Sequence, residues 1–132
     1  MAQVPAGDAF TPDQRRTIER ARAVAGQASG LTFHVCVGSV GADPRGAARA
    51  LHAALPHEAS AVLVLVDPAG RALEIVTGAR AHRVLDDSAC SLVALAMQSA
   101  FSAGDLAGGI VHGLHQLGEH AHRPESLHTS TP

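Results

Sequence analysis

Hydrophobic and polar positions along this chain recur with periods that predict helices and strands in turn. Residues 11–29, TPDQRRTIERARAVAGQAS, place apolar side chains on one helical face. Thr11 is the predicted N-cap, Pro12 the first helical residue and Gln14 the partner of Thr11 in a capping box. Residues 31–37, LTFHVCV, then alternate with the period of a strand.

A second helix and a strand hairpin follow. Asp43 and Pro44 carry the start signal of a helix that extends to about Leu55. Residues 61–66, AVLVLV, are apolar at every position, so we expect a central strand that is covered on both faces. The next four residues, DPAG, have the composition of a type I turn. Residues 71–77 are therefore predicted to return as the antiparallel partner.

Two further helices close the predicted domain. Residues 86–101 form a helix that we expect to be buried broadly, with Val93 and Met97 on its main stripe and Leu92 beside it. Asp105 can cap the last helix, which turns one apolar face inward.

Glycines are unusually frequent around this last helix. The segment FSAGDLAGGIVHGLHQLGEH, residues 101–120, contains five, and each glycine in a helix costs up to ~1 kcal/mol relative to alanine. We predict that Gly113 on the buried face and Gly109 on its flank allow a neighbouring element to approach closely. Gly108 is placed on the outer face and Gly118 at its edge, where packing does not explain them.

Length and composition indicate one domain. A chain of 132 residues that is 46% hydrophobic can bury a core without disulfide or metal support. We predict a domain over residues 10–121, between flexible tails at residues 1–9 and 122–132. Cys36 and Cys90 fall within apolar patterns, which is typical of reduced, buried thiols.

Charge and aromatic content narrow the function. The net charge is −2, the ten basic residues are all arginine, and the only aromatic residues are three phenylalanines. Nucleic-acid binding is not expected from such a chain, because basic patches and stacking platforms are lacking. No apolar run reaches the ~18 residues of a membrane span, and no secretory signal is visible. We expect a soluble, cytoplasmic protein without direct membrane insertion.

The run from AVLVLVDPAGRALEIVTG through LDD to FSAGDLAGGIVHGL resembles the TPM domain family, and the similarity extends over residues 10–121. It looks like an actinobacterial offshoot of that family without an assigned function. The resemblance implies an α/β/α sandwich, a three-layer α/β fold with a small mixed sheet flanked by helices. Family members are linked to the assembly or repair of membrane complexes, and some are reported as acid phosphatases or divalent-metal binders.

Two departures from the family pattern limit what the resemblance implies. Many members have Gly-x-Gly after the second strand of the hairpin, whereas this chain has Gly78, Ala79 and Arg80. Many bacterial members also carry a signal peptide and a membrane anchor, and neither is visible here.

Four aspartates are the candidate metal ligands. Asp67 lies at a strand end, and Asp86, Asp87 and Asp105 lie at two helix starts. Carboxylates gathered at one edge of a sheet bind Ca²⁺ or Mg²⁺ through oxygen. Helix and turn capping explains the same residues without any cofactor, and we favour capping.

Two other polar groupings have ordinary explanations. His112, His115 and Glu119 share the outer face of the last helix and could hold Zn²⁺ or Ni²⁺, but a solvated polar face explains them equally. The first helix carries four arginines that could meet an acidic partner or a phosphate, although four arginines on an exposed helix are common: Arg15, Arg16, Arg20 and Arg22.

No catalytic set is apparent. Cys36 and His34 are placed on opposite faces of the first strand, so no nucleophilic pair is expected from them. The leading interpretation is a non-catalytic accessory or protein-interaction module that binds an unidentified protein partner. The alternative is a weak, divalent-metal-dependent acid phosphatase in which the acidic edge holds the cation and Arg80 meets the phosphate.

Overall fold

A computed structural model describes residues 10–122 of the chain. Helices and strands follow one another in the order α1 (Pro12–Ser29), β1 (Thr32–Val37), α2 (Pro44–Ala53), β2 (Ala61–Asp67), β3 (Ala72–Thr77), α3 (Asp87–Ser102) and α4 (Leu106–His122). Short 3-10 turns precede β2 at Glu58–Ser60 and follow β3 at Ala81–Arg83. The predicted tails lie outside the described residues, except for His122, which ends α4.

The sheet has the order β1-β2-β3. β2 pairs in parallel with β1 and antiparallel with β3, so that Val64 has Val35 on one side and Ile75 on the other. All seven residues of β2 are buried. The prediction of a central strand that is covered on both faces and paired with residues 71–77 is therefore confirmed.

Helices cover both faces of this sheet unequally. Alternate β2 residues Val62, Val64 and Val66 face a core shared with α1, α3 and α4. Leu63 and Leu65 face the opposite side, where α2 alone packs on β2 and β3. The molecule is thus a three-layer α/β/α sandwich with a small mixed sheet, as predicted.

The predicted capping box at the start of α1 is present. The amide of Gln14 donates to Thr11 Oγ1 over 3.1 Å, and the amide of Thr11 donates to Gln14 Oε1 over 2.9 Å. Gly30 ends the helix in the left-handed conformation, with φ 79°, which glycine adopts without steric penalty. These local signals fix α1 at both ends.

Three glycines of α4 lie at contacts with neighbouring helices. A Cβ added at Gly109 would lie 2.6 Å from Phe101 Cε1, and one added at Gly113 would lie 2.7 Å from Met97 Cγ. The lack of a side chain at these two positions therefore allows α3 to pack closely on α4. At Gly118 it would lie 2.9 Å from the Cα of Ala25 in α1. The placement of Gly118 at an unpacked edge was wrong, because helical periodicity does not show where α1 crosses.

The imidazole of His34 lies on the α2 face of β1. Its Nε2 atom is buried and has no hydrogen-bond partner within residues 10–122. Burial lowers the pKa of His34 below its ordinary value of 6.5, and electrostatic interactions with Arg22 and His52 lower it further. The folded state therefore favours the neutral ring.

We expect Gly118→Ala to reduce the free energy of unfolding by ~1 to 3 kcal/mol relative to Gly113→Ala. Both changes add the same methyl group to the same helix, so the gain in helix propensity cancels. The Met97 side chain can move away from a Cβ at position 113, whereas the backbone of Ala25 cannot do so at position 118. Urea denaturation measures the difference, and equal stabilities would contradict the proposed contact between α1 and α4.

We expect the stability contributed by neutral His34 to be fully present above pH 6.5 and to decline as the pH falls below it, because the unfolded chain binds the proton more readily. His34→Leu should therefore flatten part of the decline in the free energy of unfolding between pH 7.5 and 5.5. His112→Leu, on the exposed side of α4, is the control. Identical pH profiles for the two variants would refute the assignment.

Candidate functional site

Asp67 is a buried structural residue at the end of β2. Its side chain is 5% exposed. The carboxylate accepts from the amide of Val40 over 3.2 Å and from that of Gly70 over 3.0 Å. One oxygen therefore ties the loop after β1 to the sheet, and the other orders the turn between β2 and β3.

The other three candidate aspartates each have a local partner. Asp86 caps α3 by accepting from the amide of Ala89 over 2.9 Å, and Asp105 caps α4 by accepting from that of Gly108 over 3.0 Å. Asp87 is almost fully exposed and lies 3.3 Å from the Nε2 atom of His82. The contacts of Asp86 and Asp105 are the capping roles that the sequence favoured, whereas Asp87 caps no helix.

The four aspartates do not lie at one end of the sheet. Asp67, Gly104 and Leu106 line one cleft at the carboxyl end of β2. Asp105 lies between Gly104 and Leu106 in the chain, so it is also at this end of the sheet. Asp86 and Asp87 begin α3, and the 16 residues of this helix extend over ~24 Å before Asp105. The helix therefore holds the two pairs of carboxylates apart.

No group of three or more His, Cys, Asp or Glu side chains within residues 10–122 is arranged to hold a metal ion. This finding applies to the aspartates and equally to His112, His115 and Glu119. The Nδ1 atom of His122 instead lies 2.9 Å from the carbonyl oxygen of Ala28, which joins the end of α4 to α1. Binding of Ca²⁺ or Mg²⁺ stays a prediction.

Arg80 is distant from Asp67, at the opposite end of β2. Its amide donates to Ala59 O, and the amide of Gly78 donates to Ala61 O, so this loop packs at the amino end of β2. Asp67 lies at the other end of the strand, ~20 Å away by strand rise. A Cβ at Gly78 would lie 2.6 Å from Ala59 O, so the glycine serves this close backbone contact.

Neither thiol is ionised at neutral pH. Burial raises the pKa of Cys36, and burial together with Asp87 and Asp86 raises the pKa of Cys90 to about 11. The placement of His34 and Cys36 on opposite faces was wrong: residues two apart on a strand share a face, and both lie on the α2 side of β1. The raised pKa of Cys36 still argues against a nucleophilic pair.

A cleft of about 490 Å³ opens at the carboxyl end of β2. It lies between the turn after β2 and the junction of α3 with α4, and its polar lining includes Arg71, Gln98 and Ser102. The volume suits a small molecule. Both oxygens of Asp67 are already bonded to amides there, so the cleft offers a cation and neutral polar groups rather than a free acid–base pair.

The outer face of α3 is the most unusual surface among the described residues. Leu92 is 63% exposed and Leu95 is 65% exposed. No charged residue occurs from Ser88 to Gly104. The prediction of broad burial was wrong, because α3 packs through a narrow stripe centred on Val93 and Met97.

That face does not mark a bilayer span. Within residues 10–122 no helix combines the length and the apolar content that crossing a membrane requires.

Solved structures with similar folds are known. The chain superposes on the NMR structure of the BA42 protein from the psychrophilic bacterium Bizionia argentinensis with a TM-score of 0.74 and 19% identity, covering 85% of this chain and 81% of that one. It also matches the N-terminal domain of the cg2496 protein from Corynebacterium glutamicum, with a TM-score of 0.73, 17% identity, and coverage of 87% and 76%. At these identities the likeness establishes the fold alone.

Sequence comparison gives the relatives. Two uncharacterized proteins of Mycobacterium tuberculosis, from strains CDC 1551 and H37Rv, are each 31% identical over 87 residues, which is 66% of this chain and 52% of each relative. The chain thus spans about half the length of the curated relatives it matches. The profile of a domain of unknown function, DUF5130, matches residues 1–118. The chain belongs to the DUF5130 family.

Proposed function

We propose that this protein is a non-catalytic accessory module of the TPM type that binds a protein partner through α3. The observation that carries the proposal is the pair Leu92 and Leu95, exposed by 63% and 65% on a helix face without charges. Isolated exposed leucines are ordinary, but two on one uncharged face form an apolar patch of the kind found at interface cores.

The chemistry of this face indicates the surface that would cover it. Ser91 and Ser99 flank the leucines and are exposed, and they are small enough to admit a neighbouring backbone. A charged partner would lose hydration without gaining a counter-charge from α3. We therefore propose an apolar, uncharged helix of another protein as the occupant.

Sequence order supports the TPM type. The buried strand, the turn, the second strand, the capped α3, and then Phe101, Gly104 and Asp105 before the glycine-bearing helix follow the family pattern. We propose the cytoplasm as the compartment, and the two free cysteines accord with reducing conditions.

We expect a photo-crosslinking amino acid at position 92 to yield one dominant protein adduct in the native host, because Leu92 would lie within the interface. The control places the same group at position 24. Val24 is also an exposed apolar residue, at 50%, but it lies on α1 outside the proposed interface, so we expect no adduct there.

The captured protein is then purified and titrated against this chain. Leu92→Glu with Leu95→Glu should weaken binding at least about tenfold, and Val24→Glu should not. If the double leucine variant and the Val24 variant weaken binding equally, the α3 interface is refuted.

The metal-dependent phosphatase reading leads to a different expectation for Asp105. Because Asp105 caps α4, we expect Asp105→Ala to lower the free energy of unfolding by ~0.5 to 2 kcal/mol. Asp87→Ala, at a carboxylate that caps no helix, is the control. Calorimetry with Ca²⁺ and Mg²⁺ accompanies both measurements. Binding that disappears in a still-folded Asp105 variant, together with loss of phosphatase turnover, would favour the enzyme.

A further inference from the structure

β1 leaves part of one backbone edge unpaired. Among the strands of residues 10–122, it lies at the side of the sheet and pairs with β2 alone. Even-numbered residues direct their backbone groups toward β2, as the bond from the amide of Gly38 to Val66 O illustrates. Odd-numbered residues point outward, and the first of these, Phe33, has its carbonyl occupied by Arg22 Nε at 2.8 Å.

The edge is open beyond that contact. The outward backbone groups of Val35 and Val37 have no hydrogen-bond partner within residues 10–122. Proteins usually cover such an edge or protect it with charge, because it can template another strand. Here α1 closes the edge at Phe33 and leaves the outward backbone groups of Val35, which is half-buried, and of Val37, which is 5% exposed, without a partner among the described residues.

A groove of about 480 Å³ runs beside this open edge, between β1 and the first half of α1. Its apolar lining comes from both elements and from the residue before α1: Phe10, Ile18, Val35 and Val37. An extended segment paired with β1 would place alternate side chains in this groove. The groove and the unpaired backbone groups thus favour the same extended ligand.

The rim of the groove is basic. Arg15 and Arg20 line it, and in the part of the chain that the structure describes neither makes an ion pair. Arg16 is paired with Asp13, and Glu19 is paired with Arg22. The groove lining thus carries three arginines and one glutamate, so its net charge is positive.

We propose that this groove binds an extended segment of a partner protein by strand addition to β1, and that the segment alternates apolar and acidic residues. Main-chain hydrogen bonds to Val35 and Val37 provide the pairing, and apolar side chains enter the groove. Acidic side chains meet Arg15 and Arg20. This site uses α1 and β1 and is separate from the α3 face, so it goes beyond the function proposed above.

The test uses an acetylated and amidated heptapeptide that alternates valine and glutamate, titrated into the full chain labelled with nitrogen-15. We expect the amide signals of Val35 and Val37 to shift and their hydrogen exchange to slow. Replacing the glutamates by lysines should weaken binding at least about tenfold, as should Arg15→Glu combined with Arg20→Glu. Arg49→Glu, an exposed charge reversal on α2, should leave binding unchanged.

Other results would overturn the proposal. Tight binding of the lysine peptide, or shifts confined to α3, would show that charge and edge pairing are not the basis of recognition. Binding that requires removal of residues 1–9 would make the chain's own N-terminal segment the occupant. Dimerisation lost on changing Val35 to Pro would make a second copy the occupant, and full competition by millimolar inorganic phosphate would reduce the site to simple anion binding.

Discussion

Complete burial of β2 is the constraint on which the architecture depends. Val62, Val64 and Val66 are buried on one side of the sheet, and Leu63 and Leu65 are buried on the other. A strand of this kind is stable only when both faces are covered and both backbone edges are paired. The parallel β1, the antiparallel β3 and the two helical layers meet these requirements.

Unequal covering of the sheet produces the two surfaces to which we assign the proposed interactions. Three helices share one face of the sheet, and the glycines of α4 let α1 and α3 pack closely against α4. This arrangement turns one stripe of α3 inward and leaves Leu92 and Leu95 in solvent. In its middle α1 reaches β1 through Arg22, and a groove separates its first half from Val35 and Val37, whose outward backbone groups have no partner within residues 10–122. Both surfaces result from how the same helices pack.

The aspartates illustrate how one residue type supports both a capping and a metal-binding interpretation. Each of Asp67, Asp86 and Asp105 accepts from the amide three residues later, which orders a turn or a helix start. Their spacing along the chain suggests a common edge, but α3 carries the chain from one end of β2 to the other between Asp86 and Asp105. A full helix therefore separates Asp86 and Asp87 from Asp105, and binding of Ca²⁺ or Mg²⁺ by these carboxylates stays a prediction.

The sequence alone determined the elements, their order, the central position of β2 and the main caps, because hydrophobic period and capping chemistry are local properties. It also identified Gly109 and Gly113 as close-packing positions. Only the tertiary structure decided that Gly118 contacts α1, that the apolar outer face of α3 is exposed and that β1 has no second partner strand within residues 10–122. Periodicity shows which residues of a helix share a face, but what covers that face depends on contacts between residues far apart in the chain.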